Sequence, residues 1–378
     1  MLRKIIVSPD SFKGTMSSIE VCNIIEKAVK NVDPQIIVHK IPAADGGEGT
    51  VDAFLTAAGG ERVYCTVKDP LNTDIEAFYG ILTDGTAVIE MAAASGLPLI
   101  EGKENPLAAT TYGTGQLILN ALDKGCKSII IGIGGSATVD GGIGAVSALG
   151  ARFLDAKGSV VSINGSGLQN IEYIDVTGLD PRIKDCEITV ACDVANPLYG
   201  PDGAAYVFGP QKGADKAMVT QLDEGLQHYA GIINEQFGID VQKVPGAGAA
   251  GGLGAALHVF LSAKMKPGIS TLLEAVRFDS ALKDADLVIT GEGKIDGQSL
   301  KGKTPVGIAQ RASKQGVPVI AVVGDIGDSV EEVYKHGISA VFSINRKAVP
   351  FEIARKTCRQ DLQATVENLI RYTYLLLK

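Results

Sequence analysis

Tryptophan is absent and the other aromatics are sparse, ten Tyr and ten Phe in 378 residues, so the core must be aliphatic. No apolar stretch reaches the roughly 18 residues needed to span a bilayer. The chain opens directly into the strand-like RKIIVS, with no secretory h-region ahead of it. A soluble, cytoplasmic protein without membrane contact is expected. An excess of basic residues is also missing. The formal net charge of −8 argues against general nucleic-acid binding, which needs clustered Lys and Arg, but leaves room for one small anionic ligand. The six cysteines (Cys22, Cys65, Cys126, Cys186, Cys192 and Cys358) form no CxxC pair. Cys186 and Cys192 flank an apolar run and read as reduced core thiols. The four histidines show no HxH or HExxH spacing, and no G-x-S-x-G elbow occurs, which disfavours zinc and Ser-His-Asp chemistry.

Glycine, by contrast, is abundant, with 46 residues clustered in loops between apolar runs. The aliphatic core of Ile, Val, Leu and Ala suits buried parallel strands covered by helices. The length exceeds what one core usually supports, so two domains are expected. At the front, the run 4–8 ends in PDSFKGTMS, Ser17 precedes Glu20 as in a capping box, and Val21, Ile24, Ile25, Ala28 and Val29 recur at helical spacing. A strand at 36–41 follows and ends in PAADGGEGT. The last hundred residues repeat this βα grammar, with strands at 286–290, 317–323 and 339–343 and helices at 305–315, 329–336 and 351–377. Two front strands and three rear strands make a five-stranded doubly wound parallel sheet, whose familiar order is 2-1-3-4-5. The domains inferred are 1–60 with 285–378, interrupted by an inserted α/β domain at 61–284. In the insert, RVYCTVKD and IEAFYGILTDGTAVIEM alternate, and an Asp84-Gly85 turn predicts a hairpin and hence a mixed sheet.

Ligands of open α/β sheets bind beyond the carboxyl ends of the strands. Those ends carry Asp10, Ser11 and Lys13; Asp45 and Glu48; Glu292, Lys294 and Asp296; Asp325; and Asn345, Arg346 and Lys347. In the insert, GIGGSATVDGG (132–142) follows an apolar strand and offers converging backbone amides to an anion. CDVANPLYG places Asp193 at a strand's exit, VFGPQKGA carries Lys212, and PGAGAAGGLG (245–254) is a second glycine loop opening a helix. The second loop reads either as another phosphate contact or as close helix packing. GQSLKGKT (297–304) satisfies G-x-x-x-x-G-K-[ST], but six residues separate the predicted strand end from Gly297 and Pro305 follows at once. A local anion-facing loop fits better there than a true Walker A, with Lys303 able to reach an anion. Carboxylates, lysines and glycine loops together are the parts of metal-assisted phosphoryl transfer.

These motifs, SPDSFKGTMS, PAADGGEGT, EMAAASGLPL, TTYGTGQLI, GIGGSATVDGG, ACDVANPLYGPDGAAYVFGPQKGA, GAGAAGGLG and LVITGEGKIDGQSLKGKTPVGIA, resemble in content and order the bacterial glycerate kinases of the type-1 class over essentially the whole chain. The resemblance implies a flavodoxin-like domain interrupted by a second α/β domain. It also implies ATP-dependent phosphorylation of D-glycerate, with 2-phosphoglycerate the favoured product over the 3-phosphorylated one or a related hydroxy acid. The chemistry of the residues then suggests roles. Gly134, Gly135, Ser136, Thr138 and Gly141 would hold ATP phosphates. Asp193 would orient or deprotonate the attacking hydroxyl, with Lys13 also at the reacting centre. Ser11, Lys13, Asp45 and Glu48 would bind glycerate, and Glu292 and Asp296 would hold Mg²⁺. Sites on two domains would close over the substrates and exclude water. A homo-oligomer is compatible with this reading.

Two rival classes are weighed. A nicotinamide-dependent dehydrogenase would also use glycine loops after strands, but the first strand ends in PDSFKG rather than G-x-G-x-x-G. A non-enzymatic small-ligand sensor would not need so many charged loop tips.

Overall fold

The structure is a computed structural model that describes residues 2–44, 46–297, 299–300 and 304–376, the side chain of Leu376 excepted. Its strands, in chain order, are β1 (Lys4–Pro9), β2 (Ile37–Lys40), β3 (Gly60–Lys68), β4 (Asp74–Leu82), β5 (Ala87–Glu90), β6 (Ser128–Gly132), β7 (Arg152–Leu154), β8 (Tyr173–Asp175), β9 (Glu187–Ala191), β10 (Lys264–Lys266), β11 (Leu287–Ile295), β12 (Val319–Ile326) and β13 (Ala340–Ser343). Two compact units emerge, one of Met1–Ala44, Asp52–Gly59 and Ile269–Lys378, the other of Asp45–Val51 and Gly60–Gly268.

The first unit is built on a five-stranded sheet in the order β13-β12-β11-β1-β2. Every pairing in it is parallel. Read from the other edge this is 2-1-3-4-5, the flavodoxin-like order expected from the alternation of strand and helix. The helix Ser18–Val32 begins where Ser17 accepts a hydrogen bond from the Glu20 amide at 3.2 Å. Its Val21, Cys22, Ile25, Ala28 and Val29 are buried, and they share one cluster with Ile5, Val7, Leu362, Val366 and Ile370. The last three lie on the C-terminal helix Phe351–Leu376. Truncating fully buried Leu362 to Ala would cost about 2–5 kcal/mol. The strand β11 runs five residues beyond the predicted end at 290, because Lys294 and Ile295 pair with Asp325 and Ile326 of β12. The predicted helix at 329–336 contracts to Glu331–Tyr334.

The second unit carries a mixed six-stranded sheet, β10-β9-β6-β5-β4-β3, and the small pair β7-β8. β3, β4 and β5 are antiparallel neighbours, whereas β5, β6, β9 and β10 are parallel. The Asp84-Gly85 turn closes the β4-β5 hairpin, with Gly85 at φ 86°. Its core is aliphatic, as the missing Trp requires, relieved by edge-to-face contacts of Phe153 with Tyr229 and Phe260. All six cysteines are free thiols.

Candidate active site

In the second unit the parallel strands β5, β6, β9 and β10 end along one edge of the sheet, where ligand sites of such sheets form. A pocket of about 520 Å³ lies there. Its wall includes Gly47, Leu97, Pro98, Gly134, Gly135, Ser136, Cys192, Asp193, Val194, Phe208 and Lys212. The glycines of 132–142 are small for two distinct reasons. A Cβ on Gly132 would stand 2.5 Å from the Gly46 carbonyl oxygen, and one on Gly134 would stand 2.7 Å from Gly47 Cα. The segment around Gly46 thus packs directly on the loop, and the Gly134 amide donates to Gly46 O at 2.9 Å. Gly135 has a different need, since its φ of 75° turns the chain over. The loop is then tied down from both sides, the Leu97 amide donating to Gly135 O at 3.0 Å and the Ala137 amide to Ser95 O at 2.9 Å. Among the described residues nothing accepts the amides of Gly135 and Ser136. Two undonated N–H groups on a pocket wall suit an anion.

Lys212 completes this wall. Its side chain is buried, and Nζ donates to Ser136 Oγ at 2.6 Å and to Thr138 O at 2.7 Å. Burial pushes its ammonium down to about 7, against an opposing pull from the Asp140 charge. Asp140 is itself fully buried. It accepts hydrogen bonds from the Thr111 amide (2.7 Å), Thr111 Oγ1 (2.8 Å), and the amides of Gly142 (3.0 Å) and Gly144 (3.4 Å). Desolvation raises its carboxyl above the ordinary range, and these donors pull back. Burial likewise raises Tyr229, whose hydroxyl has no partner among the described residues.

Of the loop residues expected to meet phosphate, Gly134, Gly135 and Ser136 line the pocket, and Thr138 and Gly141 do not. Thr138 supplies its carbonyl to Lys212, and its buried Oγ1 finds no partner among the described residues. Gly141 makes room for Tyr229, since a Cβ there would stand 2.9 Å from the ring. The second glycine loop takes the packing alternative at its glycines. A Cβ on Gly251 would lie 2.0 Å from Thr138 O, and one on Gly252 would lie 2.7 Å from Gly141 Cα. Only its Ala249 and Ala250 reach the pocket. Asp193 is exposed on the pocket wall, and its Oδ1 accepts the Gly268 amide at 2.9 Å. Glu48 is exposed in the 45–51 segment of this unit, and Asp45 lies outside the described residues.

In the first unit the topological switch falls between β1 and β11. Pro9 pairs with Gly291, so Asp10, just past the end of β1, falls beside Glu292, which lies inside β11 and pairs with Val323 of β12 rather than standing beyond that strand's end. Asp10 Oδ1 accepts the Ser11 amide at 2.6 Å, and its Oδ2 accepts the Thr304 hydroxyl at 2.9 Å. Buried Glu292 accepts the Ser299 hydroxyl at 2.6 Å, while Ser299 donates its amide to Asp296 O at 2.9 Å. Ser11 is half-buried and Lys13 exposed on the turn closed by the Phe12–Met16 bridge. With β11 running to Ile295, one residue rather than six precedes Gly297, and the helix Thr304–Lys314 starts at the motif's Thr. Lys303 lies outside the described residues. Among the described residues no three His, Cys, Asp or Glu side chains cluster for a metal. Mg²⁺ asks for less, usually one or two carboxylates plus waters and phosphate oxygens, so the Glu292–Asp296 donor set fits it chemically.

Residues 5–374 match the glycerate kinase family. The chain belongs to that family. It is 51% identical to the glycerate 2-kinase of Escherichia coli (strain K12) over 343 residues, 90% of either chain. To the glycerate kinase of Bacillus subtilis (strain 168) it is 49% identical, covering 97% of this chain and 96% of the other. A crystal structure from Salmonella typhimurium LT2, assigned as glycerate kinase 2, superposes with a TM-score of 0.89 at 44% identity over 99% of both chains. Family membership makes the protein a kinase. No helix among the described residues is long and apolar enough to cross a membrane.

Two residues of the site carried no role in the sequence. Asp140 was visible only as an acid two residues ahead of Gly142, the cap of the helix Ile143–Ala148. Lys212 gave no local signal beyond its flanking glycines, because what singles it out is its burial.

Proposed function

We propose that this glycerate kinase family member transfers the γ-phosphoryl group of ATP to the 2-hydroxyl of D-glycerate, giving 2-phosphoglycerate and ADP. The observation that carries the reading is the anion cradle of the second unit, where the open amides of Gly135 and Ser136 adjoin the Ser136 hydroxyl and buried Lys212. The nucleotide's phosphates belong there, with the apolar Leu97, Pro98, Val194 and Phe208 offering surface to the rest of the nucleotide. Asp193, on the same wall, takes the alcohol proton. As it does so, the glycerate oxygen bonds to the γ-phosphorus, the bond to the bridging oxygen breaks, and its electron pair leaves on ADP.

Ser11 and Lys13 are assigned to the glycerate carboxylate, Lys13 as a point charge. Asp45 and Glu48 stay assigned to the substrate side. Glu292 and Asp296 would hold Mg²⁺, which when bound neutralises phosphate charge. The reactants are thus small molecules, with nucleic acid outside the assignment. Incubation with Mg-ATP and D-glycerate should form ADP, and the phosphorus NMR spectrum of the product should be that of 2-phosphoglycerate. A 3-phosphoglycerate spectrum would overturn the choice of hydroxyl. Absence of glycerate-dependent ADP would overturn the activity.

A further inference from the structure

Buried lysines in stable proteins are paired, because an isolated ammonium in an apolar setting is costly. Lys212 breaks that rule. Among the described residues it makes no ion pair, and both its acceptors, Ser136 Oγ and Thr138 O, are neutral. An ammonium has three protons to donate, and two are used. The side chain nonetheless lines the pocket beside two undonated amides. The position is built rather than accidental. Lys212 sits in a short 3-10 turn, Pro210–Lys212, and the turn ends at Gly213, where a Cβ would stand 2.8 Å from Glu104 Cβ. Asp140 underlies the same loop. It ties the start of the helix Tyr112–Asp123 to that of Ile143–Ala148 through Thr111, Gly142 and Gly144, and its charge favours the protonated form of Lys212.

We propose that Lys212 reads the terminal phosphate of the nucleotide, and that Asp140 is the positioning residue that holds the loop and the charge of Lys212 for that contact. The inference rests on assigning this pocket to the nucleotide. The terminal phosphate is singled out because it carries the largest share of the charge and Lys212, buried on this wall, is the cation that charge complements. Asp193 lies on the same wall, so the reacting phosphorus is within the part of the pocket where the alcohol proton is taken.

Equilibrium titration of the full-length protein with Mg-ATP and with Mg-ADP tests this without any acceptor, so the choice of glycerate is judged separately by turnover. Replacing Lys212 by Met should weaken ATP binding on the order of 10–100-fold, the worth of a hydrogen bond to a charged group. ADP binding should stay within about twofold. Equal weakening of both nucleotides, or of neither, would overturn the proposal, and preserved ADP binding reports that the variant is folded. Asp140→Asn gives the second arm. The groups buried with Lys212 are Asp140 and Tyr229, with Glu104 against the adjoining Gly213 and Asp193 lining the same pocket. Removing the negative charge of Asp140 should move the alkaline limit of ATP binding to lower pH by about one unit. An unmoved limit in a variant that still binds ADP would overturn the positioning role.

Discussion

Lys212 titrates near 7 in the folded protein because burial disfavours its ammonium, whereas an unfolded lysine titrates near 10.5. Between those values the unfolded chain binds a proton that the folded protein does not, so unfolding free energy rises with pH across that window. Urea unfolding followed from pH 7 to pH 10 should show this rise in the wild type, and Lys212→Met should lose it. Asp193 makes a different demand. It is exposed, its Oδ1 accepts the Gly268 amide, a contact that Asn can keep, and the reading gives the carboxylate charge its work in turnover. Asp193→Asn should therefore lower kcat by about 100-fold or more while the unfolding midpoint holds. Near-normal kcat would remove it from the mechanism. At this scale the sequence shows residue type and rough place, as with Asp10 and Asp193, which follow β1 and β9, whereas Glu292 falls inside β11. The sequence marked Lys212 only as a charged residue of a loop, not as a buried one, and it gave Asp140 no role. Their character comes from contacts made across the chain, Lys212 with Ser136 and Asp140 with Thr111, and no local pattern encodes burial of a charge.

The elements that place these side chains are mostly written in local pattern. The βα alternation yields the five-strand order, the Asp84-Gly85 turn yields its hairpin, and Ser17 caps its helix. The end of β11 was not legible, since GEGKI becomes strand only by pairing with 322–326 of β12. The glycine loops were half legible. Their smallness was plain, but whether a ligand or another segment fills the space depends on what approaches. At Gly132, Gly134, Gly251 and Gly252 the neighbour is backbone, and Gly135 is required by its φ. The helix Lys216–Phe237 gives a test at this scale. Asp215 caps it by accepting the Met218 amide at 2.9 Å, two residues after the turn that carries Lys212 ends. Asp215→Ala should cost about 1 kcal/mol in denaturant unfolding. It should also weaken ATP binding more than ADP binding, because the turn loses its anchor. A stability loss with the ATP preference intact would separate the cap from the site.

At the scale of the whole molecule, the chain leaves one sheet and returns to it, and each unit ends its parallel strands at an edge rich in polar groups. We propose a two-domain organisation with a discontinuous flavodoxin-like part, 1–60 and 285–378, around an insert; by contacts, residues 269–284 fall with the first unit rather than the insert. The 46–51 segment clusters with the second unit, where Gly46 and Gly47 pack on the 132–142 loop. The central claim is that this loop, 132–142, with Lys212, holds the nucleotide's phosphates. Hydrogen exchange with and without saturating Mg-ATP tests it most directly, because the amides of Gly135 and Ser136 have no acceptor among the described residues and would gain one. The account predicts slowed exchange in the peptide spanning these residues and weaker slowing with Mg-ADP. Unchanged exchange there, in protein shown to be saturated with nucleotide, would contradict it.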